Sequence, residues 1–194
     1  MLLFSCSISR LENANKWGEP MNTENANAVV LVERFYEDME LWYPLFRLKE
    51  EKASVSIVGP EKGVTYNSKH GYPATSDEAA DDVDVQQLDA VIIPGGYAPD
   101  HMRRTPGMVE LVRNAWEQGS VVAFICHGGW IAVSADILHD KRATSFYAIR
   151  DDMVNAGANW VDAEVVQDGN LVSARKPDDL PAFSRTILEL LREK

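Results

Sequence analysis

The stretch from Val121 to Ala135, in one-letter code VVAFICHGGWIAVSA, decides the fold of this chain. Its first five residues are β-branched or apolar, which is typical of a strand buried on both faces of a parallel sheet. The run stops at Cys126, two glycines follow His127, and apolar residues then recur at a spacing closer to a helix than to a strand. The stretch therefore predicts a buried strand, a tight turn and a helix.

Cys126 is the candidate nucleophile of this turn. A turn of this kind lifts one side chain to the carboxyl edge of the sheet, beside the free amides at the start of the helix. Those amides favour a thiolate and can receive a developing oxyanion, so we expect an ionised thiol. The alternative is a small buried apolar cysteine with no chemical role.

The composition limits the partners of the chain. It has 194 residues, 45% of them hydrophobic, and a formal net charge of −11, which opposes binding to nucleic acid or to an anionic membrane. The only two cysteines, Cys6 and Cys126, cannot form a disulfide framework, and no cluster has the spacing of zinc ligands. We therefore expect a cytoplasmic protein without a metal.

The first 26 residues differ from the rest of the chain and are interpreted as an N-terminal extension, followed by a single domain at 27–194. The apolar patch near the start has no preceding positive charge and is too short for a signal-peptide core or a membrane span. We predict that Leu2, Leu3, Phe4 and Trp17 pack on the body of the protein or on a neighbouring subunit.

Strands and helices alternate along the rest of the chain. Further strands are predicted at 27–33, 54–58, 89–93, 142–145, 163–167 and 171–173, an extended excursion or hairpin at 64–74, and helices at 37–51, 106–118, 148–156 and 178–192. Pro44 should kink the first helix or mark its true start. The alternation indicates an α/β fold with a mostly parallel sheet, whose ligands bind beyond the carboxyl ends of the strands, where Cys126 lies.

Carboxylates and a histidine could serve this thiol. Glu33, Glu37 and Glu40 cluster where the first strand gives way to its helix, and one of them could hydrogen-bond the sulfur if the first and elbow strands are neighbours. Glu37 could equally be an ordinary first-turn residue favoured by the helix dipole. For Glu40 a functional role is favoured, because the apolar Met39 and Leu41 flank it. His127 is a candidate base because a sharp turn can bring adjacent side chains to one side. No histidine follows His139, which disfavours a glutaminase or an α/β-hydrolase.

Several ordered motifs resemble the DJ-1/PfpI superfamily, specifically its PfpI-type intracellular protease and glyoxalase branch. The similar stretches are YEDMELWYP at 36–44, RLKEE at 47–51, KHGY at 69–72, DAVIIPGG at 89–96, ICHG at 125–128, DDMVNAG at 151–157 and WVDAEVV at 160–166. The resemblance implies a flavodoxin-like three-layer sandwich with a cysteine nucleophile elbow, no cofactor, and a homodimer or dimer-built hexamer.

The resemblance also implies roles for individual residues. Cys126 matches the nucleophile, Glu40 the carboxylate that hydrogen-bonds its sulfur, Glu37 the adjacent acid and His127 the neighbouring histidine. Asp100 takes the place of an acid that orients this histidine from another subunit. The further matches are backbone or oxyanion positions at Gly95, Gly96, Gly128 and Gly129, and pocket positions at Lys69, Tyr72 and Phe146.

Three departures from the family pattern concern the surroundings of the thiol. Gly129 stands where the family usually has proline, and the large Trp130 comes directly after it. Asp100 is one carbon shorter than the usual glutamate, and Phe146 removes a tyrosine hydroxyl. A shorter acid puts a protease-like triad in more question than the thiol.

The leading hypothesis is a cofactor-independent glyoxalase or deglycase that acts on methylglyoxal-type 2-oxoaldehydes. The alternatives are an intracellular peptidase with an inter-subunit triad of Cys126, His127 and Asp100, and a redox sensor or stress protein in which Cys126 is oxidised without turnover.

Overall fold

The computed structural model describes residue 23 and residues 26–193. The strands are β1 (Asn27–Leu31), β2 (Ser54–Gly59), β3 (Thr65–Asn67), β4 (Pro73–Thr75), β5 (Glu78–Ala79), β6 (Ala90–Ile93), β7 (Val121–Ile125), β8 (Arg142–Ala143), β9 (Asn159–Trp160), β10 (Val165–Asp168) and β11 (Leu171–Ala174). The helices are α1 (Asp38–Glu50), α2 (Ala98–Met102), α3 (Pro106–Gln118), α4 (Gly129–Ser134), α5 (Arg150–Asn155) and α6 (Leu180–Arg192).

The main sheet has seven strands in the order β10-β11-β7-β6-β1-β2-β5. All neighbours are parallel except β10 and β11, which form an antiparallel hairpin. Every residue of β6 and β7 is buried, as expected for inner strands covered on both faces. The elbow strand β7 thus lies inside the sheet, and its carboxyl end opens between β6 and β11.

Helices cover both faces of this sheet. On one face α1 and α6 contact each other, and on the other α3 contacts α4, which in turn contacts α2 and α5. Leu41, Leu45 and Leu48 form the buried side of α1, as their spacing predicts. The predicted flavodoxin-like α/β sandwich is confirmed.

Some element boundaries differ from the prediction. Pro44 lies in the middle of α1, and the helix begins at Asp38 with Glu37 as its N-cap. The helix predicted at 148–156 begins at Arg150, after a 3-10 turn at Tyr147–Ile149. The short elements β5, β9 and α2 were not predicted, because two to five residues carry too little periodicity to be recognised.

Two predictions concern the ends and surfaces of the chain. The expected packing of Leu2, Leu3, Phe4 and Trp17 falls outside the described residues, and the domain boundary at residue 26 stays a prediction. Among the helices within the described ranges, none is long and apolar enough to cross a bilayer. The exposed side of α1 nevertheless carries large apolar side chains, among them Met39 and Phe46, which are 55% and 60% exposed.

Candidate active site

Cys126 lies in a sharp turn between β7 and α4. Ile125 still has extended backbone angles, whereas Cys126 has a φ of +59°, a left-handed conformation that is unfavourable for a residue with a side chain. A 3-10 turn at Cys126–Gly128 leads directly into α4. At Gly128 a Cβ atom would lie 2.5 Å from the Ile93 carbonyl oxygen, so only glycine lets the turn pass this close to β6. The predicted order of strand, turn and helix is present.

Glu40 reaches this cysteine past an intervening strand. β6 lies between β1 and β7, so the two strands that the sequence analysis supposed to be neighbours are not adjacent. Gly95 follows β6 and lies between Glu40 and Cys126. A Cβ atom at this position would lie 2.6 Å from Glu40 Oε2 and 2.8 Å from Cys126 Cβ. The N–H of Gly95 instead donates a 2.7 Å hydrogen bond to Oε2, and the carboxyl also interacts with the thiol. The contact of Glu40 with Cys126 therefore depends on the absence of a side chain at Gly95.

The Glu40 carboxyl is neutral at pH 7. Its residue is 0% exposed, and its other oxygen, Oε1, is buried without a hydrogen bond of regular geometry. Burial raises the pKa of Glu40 to about 8; the Gly95 hydrogen bond opposes this rise, and the negative charge of Glu37 adds to it. A protonated carboxyl in contact with the sulfur can donate a proton or a hydrogen bond to it.

The environment of Cys126 corrects the expectation of an ionised thiol. Burial raises the pKa of Cys126, and the charge of an ionised Glu40 raises it further, while the backbone N–H groups of His127 and Gly96 lower it. The local amides are apparent from the sequence, whereas the burial of the sulfur arises only in the folded protein. Protonation of Glu40 removes its repulsion but not the effect of burial. The resting site therefore holds a thiol, and the thiolate must form by proton transfer to a neighbour.

The amides that reach the sulfur are only partly those expected. Gly96 is one of the four predicted donors, and the amide of His127 is a second donor that the sequence analysis did not single out. Gly95 uses its N–H to hold Glu40, and the N–H of Gly129 turns back to the His127 carbonyl. The donor pair at the sulfur thus comes from the segments that follow β6 and β7, rather than from Gly128 and Gly129.

His127 is held beside the thiol by two aromatic rings. Its Nδ1 lies 3.3 Å from Cys126 Sγ, so the turn does bring adjacent side chains to one side. The imidazole stacks on Phe146 with ring centroids 5.1 Å apart and meets Trp130 edge-on at 5.2 Å. Burial lowers the pKa of His127, and the positive charge of Lys69 lowers it further. The imidazole is therefore neutral at pH 7 and can accept a proton.

A cavity of about 320 Å³ opens above these groups. Its lining consists of Glu37, Glu40, Lys69, Gly96, Tyr97, Cys126, His127, Phe146, Lys176 and Pro177. The Nζ of Lys69 forms an ion pair with the Glu37 carboxylate, and this hydrogen bond raises the pKa of Lys69. Three lining residues were not predicted: Tyr97, Lys176 and Pro177. Lys176 and Pro177 follow β11, a position at the carboxyl edge that could have suggested them.

Among the residues predicted to act through their side chains, two lie away from this cavity. The ring of Tyr72 packs edge-on against Trp42 in a separate apolar groove of about 440 Å³ along α1. Tyr72 is held there because its carbonyl accepts a hydrogen bond from the Tyr36 hydroxyl. Asp100 lies on α2 and pairs with Arg104. Its expected contact with His127 of another subunit stays a prediction.

Within the described part of the chain, one group of side chains has the spacing of metal ligands. Glu37, Asp38 and His70 bring possible ligand atoms within 4.8 Å of one another. Each is already engaged, since Glu37 pairs with Lys69, and Asp38 accepts hydrogen bonds from Ser68 and His70. We therefore assign no metal to this group.

The chain is similar to known proteins in both sequence and structure. The DJ-1/PfpI family model matches residues 26–190. "Deglycase PfpI" of Pyrococcus furiosus is 47% identical over 157 residues, which cover 81% of this chain and 94% of the relative. "Protein/nucleic acid deglycase 2" of Escherichia coli is 37% identical over 164 residues, which cover 84% and 95%. The crystal structure of Drosophila melanogaster DJ-1beta has a TM-score of 0.81 and 25% identity, covering 88% and 92%. The two deglycases are enzymes, as predicted from the sequence for this chain.

Proposed function

Because this chain belongs to the DJ-1/PfpI family, we propose that it is a cofactor-independent glyoxalase or deglycase acting on 2-oxoaldehydes such as methylglyoxal and on their adducts. The observation that carries the proposal is the placement of Cys126 Sγ at the base of a cavity, in contact with a neutral carboxyl, a neutral imidazole and two backbone N–H donors. These groups suffice for nucleophilic addition to an aldehyde and for proton transfer between adjacent carbons.

The reaction begins with the thiol. His127 Nδ1 takes the proton of Cys126 Sγ, and the sulfur forms a bond to the aldehyde carbon. The oxygen of the aldehyde becomes an oxyanion, for which we propose the N–H groups of Gly96 and His127 as hydrogen-bond donors, and then takes up the proton from the imidazolium. The product of this step is a hemithioacetal.

The second stage moves a proton from the first carbon to the second. His127 accepts the proton from the hemithioacetal carbon while the neutral Glu40 carboxyl donates a proton to the neighbouring carbonyl oxygen, which gives an enediol. The His127 imidazolium then returns its proton to the second carbon while the hydroxyl on the first carbon gives its proton back to the Glu40 carboxylate. The first carbon thereby becomes a thioester and the second an alcohol, and both side chains regain their starting protonation. Water then hydrolyses the thioester, releases the 2-hydroxy acid and restores the thiol. The redox change is internal, so the balance needs no external oxidant or reductant.

A peptidase is the second candidate, because the 3.3 Å separation of Sγ and Nδ1 also suits a Cys–His dyad. It requires Asp100 to leave Arg104 and to approach His127 from another subunit. Such a peptidase would lose activity both on dissociation and in Asp100→Asn. A glyoxalase would retain its activity in Asp100→Asn.

The family resemblance and the composition of the chain support proposals about its partners and its compartment. We propose a small aldehyde as substrate, a homodimer or dimer-built hexamer as the assembly, and the cytoplasm as the compartment. The name of the Escherichia coli relative includes nucleic acid, whereas the net charge of −11 of this chain opposes nucleic-acid binding.

The test is lactate production from methylglyoxal by the wild type and by single variants. Cys126→Ala should abolish it, and Glu40→Gln and His127→Gln should each reduce kcat by about 100-fold, the usual size for the loss of a general acid or base. Cys6→Ala is the matched control and should retain full activity. Undiminished lactate production in Cys126→Ala would refute the proposal. Sulfinic acid formation on Cys126 without any turnover would favour the redox sensor.

A further inference from the structure

The wall of the cavity carries an excess of positive charge. Of its two carboxyl groups, Glu37 is neutralised by its ion pair with Lys69, and Glu40 is protonated at neutral pH. The thiol of Cys126 and the imidazole of His127 are uncharged as well. Lys176 therefore contributes a cation to the lining that no acid of the lining balances. A cationic cleft in a chain with a net charge of −11 is a distinct local feature.

The backbone of Lys176 is fixed by its neighbours. The guanidinium of Arg175 donates two hydrogen bonds of 3.0 and 3.1 Å to Asp179 and a third of 2.8 Å to Asp162. The N–H of Asp179, a residue only 3% exposed, donates a 2.9 Å hydrogen bond to the Lys176 carbonyl. Pro177 follows immediately and also lines the cavity. The turn thus holds Lys176 at the cavity in one orientation of its backbone.

The ammonium group of Lys176 remains available to a ligand. Its ion-pair partner, Asp178, lies 2.8 Å away, has a side chain 80% exposed and does not line the cavity. Ion pairs between exposed side chains exchange readily with water and with other charges. An anion in the cavity can therefore replace Asp178 without leaving a buried carboxylate unpaired.

From this charge balance we propose that Lys176 forms an anion subsite at the mouth of the cavity, and that the physiological substrate is an aldehyde or aldehyde adduct carrying a carboxylate or phosphate group. The part of the proposal that concerns the substrate rests on the proposed function, whereas the subsite can be tested without turnover. A cavity of about 320 Å³ has room for a small aldehyde extended by one such group.

The test compares two alkylating reagents that differ in charge. Iodoacetate and iodoacetamide both attach a two-carbon group to Cys126 Sγ with loss of iodide, but only iodoacetate is an anion. The second-order rate constants are measured at low ionic strength, with the modification of Cys126 followed by peptide mass spectrometry. Lys176→Gln should lower the ratio of the iodoacetate to the iodoacetamide rate by about fivefold, the effect of unit charges on the order of 8 Å apart in a partly hydrated cleft.

Matched variants separate the subsite from general effects of charge. Lys62→Gln removes another exposed lysine, one away from the cavity, and should leave the ratio unchanged. Lys176→Glu should lower the ratio more than Lys176→Gln does. An unchanged ratio in Lys176→Gln, or an equal fall in Lys62→Gln, would overturn the subsite. An equal fall of both alkylation rates would also overturn it, because Lys176 would then act on the thiol and not on the anion.

Competition experiments distinguish the two kinds of anion. Inorganic phosphate or acetate should protect Cys126 from iodoacetate in the wild type and not in Lys176→Gln, and the stronger protector indicates the group on the substrate. Protection that is equal in both proteins would contradict the proposal. If methylglyoxal is not consumed while the rate ratio depends on Lys176, the proposed function fails and the subsite stands. The reverse result removes the subsite alone.

Discussion

Replacing Glu40 by Gln should inactivate the site and make the protein increasingly stable relative to the wild type as pH rises from 5 to 8. In the unfolded chain this carboxyl loses its proton near pH 4.5, but in the fold it does so only near pH 8. Between these values the folded state binds more protons than the unfolded state, so the free energy of unfolding falls as pH rises. The contribution of Glu40 is complete below its unfolded pKa and is lost as pH approaches its folded pKa.

The size of this loss follows from the shift in pKa. At 1.36 kcal/mol per unit, the wild type should lose about 3 kcal/mol between pH 5 and pH 8 through this one group. Gln keeps the shape of the protonated carboxyl and can still accept the hydrogen bond from Gly95, but it cannot ionise. The variant should therefore become more stable relative to the wild type by about the same amount over this range.

The assay is urea denaturation of both proteins at pH 5, 6, 7 and 8, with the difference in free energy of unfolding plotted against pH. Taking the difference removes the contributions of other titrating groups, which both proteins share. Glu110→Gln makes the same covalent change at an exposed site on α3 and serves as the control. If the difference between Glu40→Gln and the wild type is independent of pH, the raised pKa of Glu40 is refuted.

Three further predictions concern the same chain. Gly95→Ala places a Cβ atom 2.6 Å from Glu40 Oε2. It should therefore destabilise the fold by about 1–3 kcal/mol and reduce kcat by at least tenfold. A wild-type free energy of unfolding and a wild-type rate of lactate production would contradict the close approach. In the wild type, kcat/KM should fall above pH 8 because Glu40 loses the proton that it donates. If the residual activity of Glu40→Gln shows the same fall above pH 8, another group causes it. The exposed apolar side of α1 is the candidate subunit contact, because exposed apolar patches mark association surfaces. Phe46→Glu should therefore reduce the assembly mass in sedimentation, whereas an unchanged mass would locate the contact elsewhere.

The elements of the fold were largely predictable because their patterns are local. The apolar run of β7 and the helical spacing of Leu41, Leu45 and Leu48 each express burial through the periodicity of a single segment. The strands predicted at 163–167 and 171–173 are likewise present, as the antiparallel pair of β10 and β11. Elements of two to five residues lack such periodicity and were missed.

The site residues that lie on one segment could be predicted from the sequence, whereas contacts between residues from different segments could not. Cys126 and His127 are adjacent in sequence, so their proximity required only the turn. The approach of Glu40 also depends on β6 ending in Gly95, and the membership of Lys176 in the cavity depends on the place of β11 beside β7. The expectation of a lowered pKa for Cys126 was wrong, because burial raises it. Burial is a property of the whole fold, whereas the helix amides can be inferred from the sequence.

The two borders of the main sheet have a consequence for self-association. One border is β5, which has two residues, and the other is β10, where Asp168 accepts a hydrogen bond from the Arg142 N–H and lies near Lys141. A long and unguarded outer strand would offer a template to other chains, but a very short strand and a strand flanked by charges do not. The native protein should therefore resist strand-by-strand aggregation, and fibre growth should require unfolding that exposes the inner strands first.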